Sequence, residues 1–161
     1  MRDEAERFFS EIIGKNCWAV IAGPGTGSVI NLYFGEKRRR ARALTNPHLT
    51  PDERAFEGEK GVVVYSSWRL ESTGEILSTS QNVGPDGIDL NQLLRVKGSV
   101  VDSIEFVSSL HDLRVGFSSG IALAVFCDIA TGMEDDSNYV LFNETTSVAV
   151  TPTGRLAVER R

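Results

Sequence analysis

The apolar positions of this chain fall first into a helical period and then into a period of two. Ala5, Phe8, Phe9, Ile12 and Ile13 recur at i, i+3, i+4, i+7 and i+8, which predicts an amphipathic helix. Asp3 and Glu4 suit its electropositive start, and Gly14 ends it. In "VINLYF", Ile30, Leu32 and Phe34 alternate with Asn31 and Tyr33, as in a strand buried on one face. "GVVVYSSWRL" reads as one β-branched, aromatic-rich strand, and "EILSTSQ" returns from it across the turn "ESTG". "NVGPDG" interrupts the pattern as a linker over 82–88.

A similar order then recurs. Asp89 reads as the cap of a short helix carrying Leu90, Leu93 and Leu94, with Gln92 completing a capping box and Gly98 as its stop. The strands "SIEFVS", "DLRVGFS", "GIALAVFCD", "NYVLFN", "SVAVTP" and "RLAVER" follow. At near-constant spacing Gly14 matches Gly98, Val20 matches Ile104, and Ile30, Leu32 and Phe34 match Leu113, Val115 and Phe117. Gly61 matches Gly120, and Trp68 and Leu70 match Tyr139 and Leu141. The reading is one domain over 1–161, mainly β with α+β character, containing a duplication of about 1–82 and 88–161. Its two helix-plus-antiparallel-meander halves form one sandwich or barrel-like body, with the N-terminal helix packed on it. The halves differ by two polar insertions, 35–60 and 128–138.

Composition narrows the functions. With 161 residues, 41% hydrophobic and 24% charged, the chain has the makeup of a globular domain. A net charge of −5 favours a basic partner and argues against nucleic acid and anionic membranes. No run approaches the roughly 18 consecutive apolar residues of a membrane span. The start, "MRDEAERFFSEIIGK", lacks the pattern of a secretory signal, so a cytoplasmic location is expected. Cys17 and Cys127 read as buried thiols, and two histidines without a His/Cys cluster give no metal site; no cofactor is expected.

The segment "AGPGTGS" (22–28) resembles a phosphate-cradling loop in isolation. It lacks the lysine of that motif and precedes a strand instead of a helix, and its counterpart "VSSLHD" contains no glycine. It reads as a hairpin turn. The basic run Lys37, Arg38, Arg39, Arg40 and Arg42 has few interleaved aromatics and is surrounded by Glu36, Asp52, Glu53, Glu57 and Glu59, so a charged strand end or solvated insertion fits it better than nucleic-acid binding. Inside that insertion "TPDE" starts a short helix to about Phe56, with Thr50 as cap, Pro51 first and Glu53 reaching back. His48 reads as solvated. His111 beside Asp112 invites a dyad, but no nucleophile motif accompanies it, and neighbouring strand residues point to opposite faces. Glu134, Asp135 and Asp136, with Asp128 upstream, make an acidic loop without the spacing of a calcium site. Trp18, Trp68 and Tyr139 read as core or sheet-face aromatics, Trp18 being an interface anchor if exposed.

The second half, "LRVGFSSGIALAVFCD" followed by an acidic gap and "NYVLFN", resembles the meanders of small uncharacterised bacterial proteins, some grouped with candidate immunity proteins of polymorphic toxin systems. The resemblance covers roughly 98–150 and lies in the strand pattern. It implies a non-catalytic protein that binds and blocks a toxin. The expectation is therefore a non-enzymatic protein-binding module, with Arg38, Arg39, Arg40, Arg42, Glu134, Asp135 and Asp136 as candidate partner-binding residues. The alternative is a small-ligand-binding barrel, or a cleft between the halves. Free edge strands also admit a homodimer.

Overall fold

The computed structural model describes residues 2–85, 87, 88, 90–130 and 136–161. Helix α1 spans Arg2–Ser10, and a turn carries the chain to Gly14. Strands β1 (Cys17–Ile21) and β2 (Ile30–Arg39) follow, then helix α2 (Pro51–Ala55) and strands β3 (Phe56–Val64), β4 (Ser67–Ser72) and β5 (Glu75–Thr79). A two-residue ribbon, β6 (Val83–Gly84) and β7 (Gly87–Ile88), occupies the expected linker. Helix α3 (Leu90–Leu93) continues as a 3-10 turn over Leu94–Val96. The last strands are β8 (Val101–Phe106), β9 (Leu113–Phe117), β10 (Ala122–Phe126), β11 (Tyr139–Asn143), β12 (Thr146–Val150) and β13 (Leu156–Arg160). Asp89, the expected cap of α3, lies outside the described residues.

The strands build two antiparallel sheets, β1-β2-β3-β11-β12-β13 and β5-β4-β10-β9-β8, stacked as a sandwich and not closed into a barrel. Period-two alternation explains the packing. Ile30, Leu32 and Phe34 of β2, Leu113, Val115 and Phe117 of β9, and Trp68 and Tyr139 all enter one continuous core between the sheets. Ala5 and Phe9 of α1, and Ile12 in the turn after it, are buried on the expected stripe, whereas Ile13 is exposed. The largest core side chains also anchor the turns. Trp68 donates its indole N–H to Ser28 O at 2.8 Å, and Tyr139 donates its hydroxyl to His111 O at 2.7 Å.

The expected strand "GVVVYSSWRL" is two strands in different sheets. The backbone N–H groups of Tyr65 and Ser66 both donate to Asn138 O, which turns the chain out of the first sheet after Val64 and into the second at Ser67. The chain exchanges strands throughout. Its first half gives β1, β2 and β3 to one sheet and β4 and β5 to the other; its second half gives β8, β9 and β10 to the latter and β11, β12 and β13 to the former. The sheets are joined where Asn16 bridges Val100. Around that bridge the bonds are reciprocal: Gly14 N–H to Val101 O (2.8 Å) and Gly98 N–H to Cys17 O (2.7 Å), Cys17 N–H to Ser99 O (2.8 Å) and Val101 N–H to Lys15 O (3.0 Å). Gly61 and Gly120, matched in the sequence, are placed differently. Gly61 sits inside β3, and Gly120 makes the turn before β10 with φ +82°.

The glycine-rich segment is a turn, as expected. Thr26 donates both its N–H and its hydroxyl to Gly23 O, and Val29 N–H donates to Thr26 O. Gly23, Gly25 and Gly27 all hold positive φ there. In the counterpart turn that conformation falls to His111 (φ 68°), whose Nδ1 contacts Gly154 O at 2.8 Å.

Candidate functional site

A second, smaller apolar cluster lies on the outer face of the six-stranded sheet. Cross-strand register puts Ala19, Tyr33, Gly61 and Phe142 in one row over four strands, small and large residues alternating. Ala19, Tyr33 and Phe142 are buried in this row, and Trp18, Ile21 and Val63 pack against them. Strict alternation would point Trp18 along with Val20. A bulge between Cys17 and Ala19 instead leaves Cys17 and Val20 in the core and sends Trp18 and Ala19 outward together. Trp18 stacks on Tyr33 at 5.5 Å, and Tyr33 meets Phe142 edge-on at 6.2 Å.

Cations cover these rings. Lys37 Nζ lies 5.1 Å from the Trp18 ring centre, Arg40 Cζ 5.4 Å from Tyr33, and Arg161 Cζ 4.5 Å from Phe142. Arg40 also donates to the Tyr33 hydroxyl at 2.7 Å, and Asn31 Nδ2 donates to it at 3.2 Å. Carboxylates hold the cations: Lys37 pairs with Asp52 at 2.5 Å, and Glu57 receives Arg40 at 3.8 Å and Arg161 at 3.5 Å. Helix α2 supplies a wall. Its capping box forms as read from the sequence, Thr50 accepting from Glu53 N–H and Glu53 accepting from Thr50 N–H. A hollow of about 380 Å³ beside Trp18 is lined by Lys37, Thr50, Pro51, Asp52, Glu53 and Lys97.

Four buried side-chain polar atoms lack a hydrogen-bond partner among the described residues, and three of them belong to this patch: Trp18 Nε1, Asn31 Oδ1 and Arg40 Nε. Buried polar groups are almost always satisfied, so their concentration on one face singles it out.

Lys37, Arg38 and Arg39 of the basic run form the end of β2, and Arg40 and Arg42 follow it. Arg38 and Arg39 pair in register with Glu57 and Phe56, beyond a bulge at Gly35–Glu36 pinned by Glu36 N–H to Glu59 Oε2 at 2.9 Å. That bond first, and Lys15 second, hold the Glu59 carboxyl below the usual carboxylate range. The run also meets aromatics, because Trp18 and Phe56 reach it from neighbouring strands and Tyr33 from earlier in β2, Arg39 lying over Phe56 at 5.1 Å. Among the described residues Arg38 makes only long pairs, 3.9 Å to Glu36 and 3.7 Å to Glu144, and Arg42 is exposed past the strand end.

Glu134 and Asp135 lie outside the described residues; Asp136 is exposed just before β11. Since β11 starts opposite Val64 while Arg38 and Arg39 sit opposite Glu57 and Phe56, Asp136 and these two arginines lie toward opposite ends of β3. Sequence reading missed Tyr33, Asn31, Phe142 and Arg161. The available signal was an outward aromatic, Tyr33, among the inward Leu32 and Phe34.

The groups suggestive of catalysis serve structure. Asp112 Oδ1 accepts from Cys127 N–H at 2.6 Å while the His111 ring turns to Gly154. Burial pushes the thiols of Cys17 and Cys127 up to about 12, with Asp112 adding to the effect at Cys127, so neither holds thiolate near neutrality. Cys127 is only partly buried, against expectation. No helix among the described residues is long and apolar enough to cross a membrane. Comparison with protein-family models, with curated proteins and with solved structures gives no match to this chain.

Proposed function

We propose that this chain is a non-enzymatic protein-binding module that meets its partner on the Trp18–Tyr33–Phe142 face, with neutralisation of a toxin by occlusion as the sharpest form of the role. The reading is carried by the gathering there of three buried, unpartnered polar atoms under a layer of cations. Such groups gain hydrogen bonds when a partner displaces the side chains over them, and a half-buried Trp beside Arg and Tyr is the composition of an interface hot spot. The toxin-neutralising form rests on the resemblance of residues 98–150 alone.

The test is affinity capture from native lysate with wild-type chain and with Trp18→Ala. A partner recovered at stoichiometric level by the wild type and weakened about 30-fold by the substitution supports the proposal, that being the effect of losing a hot-spot residue. Equal recovery by both proteins, or by neither, overturns it.

One observation favours a second reading, a small-ligand cleft between the halves. A hollow of about 350 Å³ separates α1 from β8 and β9, with Phe9, Ile104, Phe106 and Leu113 as apolar lining and Glu6 and Ser10 at hand. Capture of an apolar small molecule that is abolished by filling the hollow with Ser10→Phe, and indifferent to Trp18→Ala, favours that reading over the first.

A further inference from the structure

Of the four sheet edges, β1 and β8 are bridged to each other through Asn16 and Val100, and β5 is flanked by α3. The outermost strand of the larger sheet, β13, is different. It pairs with β12 on one side, and Val158 is 51% exposed. Antiparallel pairing fixes which of its backbone groups are free. Thr151 N–H donates to Arg155 O and Arg161 N–H donates to Thr145 O, so odd-numbered residues face β12. The N–H and C=O groups of Leu156, Val158 and Arg160 therefore point away from the sheet. Arg155 and Glu159 are exposed, and neither makes an ion pair with a described residue.

We propose that β13 pairs antiparallel with β13 of a second copy of this chain, about a two-fold axis at Ala157, joining the two six-stranded sheets into one. In that register Leu156 faces Val158 of the second copy, and the outward N–H and C=O groups of both residues are paired across the junction. Arg155 faces Glu159, and every contact occurs twice. Charge selects this register among its neighbours. A two-fold at Val158 sets Arg155 against Arg161, and one at Glu159 sets that carboxylate against itself. Val158 lies on the core side of the sheet, opposite Val148, so the Leu156–Val158 pair extends the apolar layer where β13 is exposed. The stretch paired in this register, 155–159, contains no residue of the Trp18 face, so the inference stands independently of the proposed function.

The test is sedimentation equilibrium on the full chain, across concentrations bracketing an expected Kd of about 10–100 µM, the weak range of a small edge contact. Wild type dimerises. Arg155→Glu and Glu159→Arg each weaken the dimer about tenfold or more by placing like charges opposite, and Arg155→Glu/Glu159→Arg together restore it to within about threefold. Val158→Pro, which removes an outward N–H that takes no part in the β12 ladder together with the side chain facing Leu156 of the second copy, gives a monomer with an unchanged far-UV spectrum. A wild-type monomer up to about 1 mM, or a dimer indifferent to either single charge reversal, overturns the proposal.

Discussion

Gly61→Ala tests whether the outer aromatic row is a packed unit. Gly61 lies in β3 between Tyr33 and Phe142, and the Phe142 ring covers it. A Cβ at this position would stand 2.7 Å from Phe142 Cε1 and 2.8 Å from Cε2, with Cζ nearer still. Two effects compete. Alanine orders the unfolded chain and gains about 0.4–1 kcal/mol. Displacing the ring costs about 1–3 kcal/mol as overpacking, and losing its edge-on contact with Tyr33 costs a further ~0.5–1.5 kcal/mol. The steric side wins, giving a net loss of about 0.5–4 kcal/mol, set against the ~5–15 kcal/mol stability of an ordinary domain. Urea unfolding followed by tryptophan fluorescence and circular dichroism reads it as a lower midpoint at constant m-value. The double mutant Gly61→Ala/Phe142→Ala supplies the decisive comparison. With the ring gone, the new methyl group has room, so the pair loses about 1–3 kcal/mol less than the sum of the singles. An unchanged midpoint for Gly61→Ala, or additivity within about 0.5 kcal/mol, would refute the packing argument.

Three further outcomes follow from the described geometry. Hydrogen bonding from Arg114 first, and Arg69 second, holds the Glu71 carboxyl below its ordinary value. Such a group stabilises the fold above the ordinary glutamate pKa of about 4.3 and loses that contribution as pH falls below it, so Glu71→Gln should flatten the acid limb of a stability–pH profile and leave the neutral region less stable. Both thiols, held up near 12, should resist a thiol reagent at pH 8 in the native protein and react together on unfolding; fast native labelling of Cys17 would contradict its burial. Tyr139→Phe and Trp68→Phe each strip a donor from a part-buried turn carbonyl, Trp68→Phe also leaving space in the core, and each should lower stability by about 1–3 kcal/mol in the same unfolding assay.

Features written locally in the chain were legible. The capping box of α2 depends on Thr50, Pro51 and Glu53 alone, and the inward set Ile30, Leu32 and Phe34 on a period of two, so both could be read without knowing the rest of the fold. The break at Tyr65–Ser66 could not. Its flanks are equally strand-like, and the bend is imposed by the carbonyl of Asn138, far along the chain. The same holds for the outer face. Trp18 points outward because of a bulge whose register is set by β2, and its companions Phe142 and Arg161 arrive from the other end of the sequence. The spacing that equated Gly61 with Gly120 shows the limit of pattern matching, since one is covered by an aromatic ring and the other makes a turn.

The exchange of strands between sheets has a consequence for biosynthesis. When the first half of the chain has emerged, β3 and β4 each present an open edge whose filling strand, β11 or β10, has yet to be made. Closure of either sheet must wait for residues supplied by the second half, so no sub-assembly can be completed in order of synthesis. Folding dominated by such distant pairings belongs to the slow, millisecond-to-second class, and during that wait the two apolar edges are exposed to wrong partners. Emergence of the second half, and not the appearance of the first meander, is thus the step at which the two sheets can close.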